Sequence, residues 1–178
     1  DKLYENALDD DSRHELACAG TINLLAYLGW LRSRETFDAA VDSVTMVEPT
    51  DGPTRGLSPN IGAIELRLLA NTKSDQTLTA DVILAWTSLS GLSIGTLMTR
   101  LALFDSILPN RLFSTRKNPV WTSRHFRQNF AYPILELQKA SGEPTLKAFS
   151  DQPGHRIMDK VYSMHSWRRA GRSRVSRQ

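Results

Sequence analysis

Three short stretches of the chain carry side chains whose types and spacing suit a phosphate group. Near the C-terminal end, His165 and Arg168 stand at i and i+3, so a helix there places both on one face. An imidazole beside a guanidinium suits a phosphate, because arginine offers a planar fork of donors. Five arginines fall between Arg168 and Arg177 with no acid among them. In the second stretch, Leu28 to Phe37, Arg32 and Arg34 follow directly on an apolar run, and Arg32 and Glu35 are again three residues apart. An arginine at such a helix junction is held by the core beneath it; the plainer alternative is a surface ion pair worth a few tenths of a kcal/mol. The third is Lys73, between two strand-like runs. Most turn lysines are simply solvated, yet a hairpin tip is also a mobile arm that brings an ammonium to a substrate as it binds.

The rest of the chain must position these groups. With 178 residues there is room for one domain with a real core. A composition of 40% hydrophobic and 23% charged residues is that of an ordinary folded domain. No run approaches the length of a transmembrane helix, so no membrane partner is expected. The first residues, Asp1 to Asp11, are acidic where a signal peptide would be basic and then apolar. Cys18 is the single cysteine, which excludes an internal disulfide and a cysteine-based zinc site and favours a reducing, intracellular compartment. Residues 1–100 hold 8 Lys and Arg against 14 Asp and Glu, a net of −6, whereas residues 101–178 hold 14 against 5, a net of +9. That asymmetry points to a polyanionic partner for the second half.

The pattern predicts an α+β chain rich in helix. Ser12 and Glu15 have the spacing of a capping box, opening a buried helix to about Leu28, where Gly29 interrupts it. Ser33 is placed to cap a second helix through about Val41. A brief strand follows in Val41–Val47, ended by Pro49, and residues 50–60 form a Gly- and Pro-rich loop. Two strands are expected at Ile61–Ala70 and Thr77–Trp86, joined by a turn over Asn71–Gln76. Ser93 caps a helix to about Ile107, and a basic loop, Ser114 to Val120, leads to a helix starting at Thr122 or Ser123. Pro133 should kink or split that helix. Residues 142–154 read as loop, and a last helix begins near Ser163 with His165 in its first turn.

Taken together and in order, these stretches resemble the tyrosine recombinase (phage integrase-like) family. Leu31-Arg32-Ser33-Arg34-Glu35 is similar to that family's Gly-Leu-Arg-x-x-Glu, with Trp30 intervening after Gly29. Asn71-Thr72-Lys73-Ser74 stands where the family carries a β-hairpin lysine. His165-Ser166-Trp167-Arg168-Arg169-Ala170-Gly171 is close to its His-Ser-x-Arg-Arg-Gly-Gly. The resemblance runs from about Asp11 to Gln178. It implies an α-rich catalytic domain with a small antiparallel three-stranded sheet, residues 1–178 forming one incomplete domain behind an acidic extension, 1–10.

The resemblance also implies a chemistry. A tyrosine attacks a DNA phosphodiester, leaving a 3′-phosphotyrosyl link and a free 5′-hydroxyl, with no metal or cofactor. Arg32 and Arg168 would stabilise charge on the non-bridging oxygens, His165 would donate a hydrogen bond or move protons, and Lys73 would be the general acid. Arg34, Lys117, Arg124, Arg127, Arg169, Arg172 and Arg174 would contact phosphates of double-stranded DNA. Copies of the chain would assemble on that DNA, in a nucleus or a bacterial cytoplasm. Tyr4, Tyr27, Tyr132 and Tyr162 all precede His165, so the nucleophile is expected outside this chain, and the domain is expected to be truncated. Two other readings fit the same residues: a DNA-binding remnant of a mobile element without cleavage activity, or an unrelated α-rich interaction module with a basic tail.

Overall fold

The computed structural model describes residues 2–29, 31, 36–39, 43–49, 62–72 and 75–160. Helix α1 (Lys2–Glu5) is a single turn ahead of the long helix α2 (Asp10–Leu28). The N-cap of α2 is Asp9, three residues ahead of the expected Ser12. Asp9 has extended backbone (φ −138°, ψ 159°), and its Oδ1 accepts the Ser12 amide at 2.7 Å. Aspartate caps as well as serine, and Asp10 and Asp11 in the first turn complement the helix dipole, so the helix reaches back to the acids. At the other end Gly29 is the C-cap, as expected. Ile22, Leu25 and Ala26 on α2 are fully buried.

Strands β1 (Val44–Val47), β2 (Ala63–Thr72) and β3 (Asp75–Ala85) form an antiparallel sheet in that order. The period of two is clear where β2 crosses the core: Ile64 and Leu66 are fully buried, Ile64 opposite Leu84. On the outer face Arg67 stands opposite Asp81, with Nε 3.2 Å from Oδ1. Pairing continues to Thr72 opposite Asp75, past a register shift near Ala70. The expected six-residue turn is therefore too long; cross-strand pairing overrides the local turn tendency of Asn71, Asp75 and Gln76.

Helix α3 (Ile94–Leu101) begins at the expected cap, Ser93, whose side chain accepts the Thr96 amide. It ends at Leu101, six residues short of the expected Ile107. Beyond it Ser106 Oγ is 3.0 Å from the Leu108 carbonyl and 2.6 Å from that of Arg111, and Asn110 takes a left-handed conformation (φ 66°). Such local bonds draw the backbone out of the helix. Gly95 lies against the Trp86 indole so closely that a Cβ there would be 2.0 Å from Cδ2.

Helix α4 (Ser123–Phe126) is capped by Thr122 and runs through a π-helical stretch, Arg127–Ala131, into α5 (Tyr132–Ala140). The Tyr132 amide bonds back to the Arg127 carbonyl, five residues away. This widened turn accommodates Pro133, which lacks an N–H and would crowd a regular turn, so the helix is bulged where a kink was expected. Within the stretch expected as loop, a 3₁₀ helix spans Pro144–Phe149; at its end begins α6 (Gly154–Lys160), which was not expected and buries Ile157 and Met158. Glycine and proline at the starts of both elements give a loop-like local signal; burial decides otherwise. The expected helices from Ser33 and from Ser163, and the loop 50–60, lie largely or wholly outside the described residues.

Candidate nucleic-acid interface

The expected catalytic residues Arg32, Lys73, His165 and Arg168 lie outside the described residues, as do Arg34, Arg169, Arg172 and Arg174. Their chain neighbours are described. Arg32 stands between Leu31, 4% exposed, and Thr36, fully buried. Lys73 follows Thr72 and is two residues before Asp75, which pair with each other across the hairpin. His165 and Arg168 come after α6, which is anchored in the core by Ile157 and Met158. Residues close to Arg32 in sequence also tie to the segment after α3: the Leu112 amide bonds to the Ala39 carbonyl at 2.8 Å, and Arg111 Nη1 is 3.5 Å from Asp38 Oδ1.

Of the expected phosphate contacts, Lys117, Arg124 and Arg127 are described. Lys117 sits in a tight turn, Thr115–Asn118. The Thr115 amide donates to the Asn118 carbonyl at 3.1 Å, and the Asn118 amide donates to Thr115 Oγ1 at 3.0 Å. Threonine and asparagine at the two ends suit such a turn, because short polar side chains bond nearby backbone. At its base Thr115 is buried and Asn118 half-buried, and its tip, Arg116 and Lys117, is exposed.

Glu15 on α2 holds the base. Its Oε1 accepts from Thr115 Oγ1 at 3.3 Å and from Asn118 Nδ2. Sequence reasoning gave Glu15 the task of reaching back to the helix start; with Asp9 as the cap, the carboxylate turns outward to a segment a hundred residues away. The tip lies over the acidic helix start: Lys117 Nζ is 3.2 Å from Ser12 Oγ and 3.8 Å from Asp9 Oδ1, and Arg116 Nε is 4.0 Å from Asp11 Oδ1. Bonds from Ser12, together with the Lys117 charge, hold the Asp9 carboxyl below its ordinary pKa. Arg116 was missed at the sequence level, although a Thr-Arg-Lys-Asn run does place two cations at the centre of a turn.

Arg124 projects from the first turn of α4, exposed and without an ion pair among the described residues. Arg127 is engaged within the fold: Nη1 is 3.8 Å from Asp159 Oδ1, and Nε donates to the Ser123 carbonyl at 3.4 Å. A phosphate contact by Arg127 requires exchanging that pair. Three residues before Arg124 in the chain, Trp121 is buried against His125 (ring centroids 4.9 Å, edge to face) and Phe130 (5.2 Å, stacked). Burial lowers the His125 pKa, and the Glu15 charge works against that shift. His14, stacked on Phe104 at 4.8 Å, is likewise lowered by burial, against Asp11 and Glu15.

No protein-family model matches the sequence, and no curated protein matches it. Among solved structures, the chain is similar to the XerH site-specific recombinase, solved bound to difH substrate as a pre-cleavage complex. The match has a TM-score of 0.52 at 13% sequence identity and covers 97% of this chain. The fold is recombinase-like. It agrees with the α-rich architecture and antiparallel three-stranded sheet expected from the sequence. This chain spans 38% of the length of that recombinase chain. Among the described residues no helix is long and apolar enough to cross a membrane.

Proposed function

We propose that this chain is part of a DNA-breaking and rejoining enzyme that works through a 3′-phosphotyrosyl intermediate, with the tyrosine supplied from outside these 178 residues. The observation that carries the proposal is the recombinase-like fold over 97% of the chain. The order Arg32, Lys73, His165, Arg168 along that fold supports it. Arg32 and Arg168 bind the non-bridging oxygens of the scissile phosphate, where fixed cations favour the transition state over the ground state. His165 donates a hydrogen bond to the same phosphate, and Lys73 protonates the departing 5′-oxygen. Lys117 and Arg124, with Arg34, Arg127, Arg169, Arg172 and Arg174, contact backbone phosphates and set register without reading sequence.

The test is a nicked duplex offered to the full-length protein that contains these 178 residues. A denaturant-resistant protein–DNA adduct, lost in Arg32→Ala and Arg168→Ala, supports the enzyme. Duplex binding that persists with no adduct would assign the chain to DNA binding alone.

A further inference from the structure

Two of the three acids at the start of α2 face the two cations of the turn Thr115–Asn118, and the third is paired within the helix. Asp9 faces Lys117, Asp11 faces Arg116, and Asp10 Oδ1 is 3.2 Å from Arg13 Nη1. The contacts differ in kind at the two ends of the turn. At its base Glu15 bonds to buried Thr115 and to Asn118. At its tip the charges are 3.8 Å and 4.0 Å apart, and all four side chains are well exposed. Pairs so separated and so wet are weak and exchange easily.

We infer that the acidic start of α2 is an intramolecular competitor for DNA: Asp9 and Asp11 occupy Lys117 and Arg116 in the free chain, and duplex phosphates displace them. The inference rests on the DNA-binding reading above. The turn itself stays in place, because Glu15 holds its base and not its tip. Only the partners of the two cations change: Arg116 leaves Asp11, and Lys117 leaves Asp9 and the Ser12 hydroxyl, for phosphate. In the free protein the two cations at the tip are offset by Asp9 and Asp11, so sliding or adventitious capture on polyanions is damped, and binding becomes favourable only where other contacts bring the backbone close. Arg124, with no ion pair among the described residues, is the cation on the adjoining helix that needs no such exchange.

The experiment measures fluorescence anisotropy of a short labelled duplex against the full 178-residue chain at low and at physiological salt. Asp9→Asn keeps the helix cap while removing its charge, and Asp11→Asn lies outside the cap. Each should tighten binding about twofold to fivefold at low salt, the range expected for releasing one exposed ion pair. Each should also steepen the dependence on salt by up to about one counterion. The gains should vanish when Arg116→Gln and Lys117→Gln are added. Asp81→Asn, which makes the same charge change on the sheet beside Arg67, should move affinity far less. Equal tightening in Asp81→Asn, or gains that survive loss of both cations, would overturn the inference and leave DNA binding standing. Failure of the wild type and every variant to bind duplex at low salt would overturn both. Unchanged helical circular dichroism in each variant excludes misfolding as the source of either result.

Discussion

Replacing Glu15 with alanine should release the turn Thr115–Asn118 from α2 while leaving the helix intact. Its carboxylate accepts from Thr115 Oγ1 at 3.3 Å and from Asn118 Nδ2, in a half-buried position. Hydrogen bonds to a charged group contribute about 1.5–3 kcal/mol each when sheltered. Partial access of water and the long threonine contact reduce the pair to a total of about 1–3 kcal/mol. Alanine suits a helix interior at least as well as glutamate, so no helix cost masks the effect. Glu15→Gln keeps an acceptor and loses the charge, and should cost about half as much. Urea unfolding followed by circular dichroism gives the magnitude, and hydrogen exchange at the Asn118 amide gives the location. Either substitution should also lower the His125 pKa further, since the Glu15 charge now opposes the desolvation that depresses it. Stability within about 0.3 kcal/mol of wild type, with exchange at Asn118 unchanged, would refute the assignment of Glu15 as the anchor.

Gly95→Ala should destabilise the fold by about 1–3 kcal/mol, because a Cβ would sit 2.0 Å from the Trp86 ring; an unchanged melting temperature would contradict the packing. Asp9→Ala should cost about 1 kcal/mol through loss of the cap, and Asp9→Asn only a few tenths, a difference read by thermal unfolding. Burial depresses the pKa of His14 and of His125 below 6.5 in the folded chain, so the unfolded chain takes up protons first as the pH falls. Their contribution is fully present above neutral pH and is lost as pH falls through about 6.5, levelling off below the folded values. Urea midpoints measured across that window should fall, and His14→Phe, which keeps the stack on Phe104, should flatten part of the fall.

Much of the architecture was legible because it rests on periodicity and caps. The alternation in β2, the helix after Ser93, the helix after Thr122 and the stop at Gly29 all follow from local signals, and the structure keeps each of them. What was not legible depends on partners distant in the chain. Asp9 and Ser12 are equally good caps by residue type, and only the docking of Thr115–Asn118 gives Glu15 another use. Strand pairing carried β2 and β3 into residues whose local preference is for a turn. Pro133 announces a disruption, but a bulge and a kink have the same local signature. The candidate interface was partly legible: Lys117 and Arg124 are exposed cations, whereas the engagement of Arg127 with Asp159 needs α6, which lies in a stretch the sequence assigned to no element beyond Gly154. Basic residues mark a polyanion partner by composition, but which of them are already paired is a tertiary fact.

The convergence of Arg32, Lys73, His165 and Arg168 is the claim on which the proposed chemistry depends. The most direct measurement is a structure of the chain bound to duplex DNA, read for the distances from those four side chains to one phosphate. The account predicts that both guanidinium groups and the imidazole lie about 3 Å from oxygens of a single phosphate, with the Lys73 ammonium within reach of its bridging oxygen. Four side chains spread over separate phosphates, or beyond a Debye length of about 10 Å from any shared one, would contradict it.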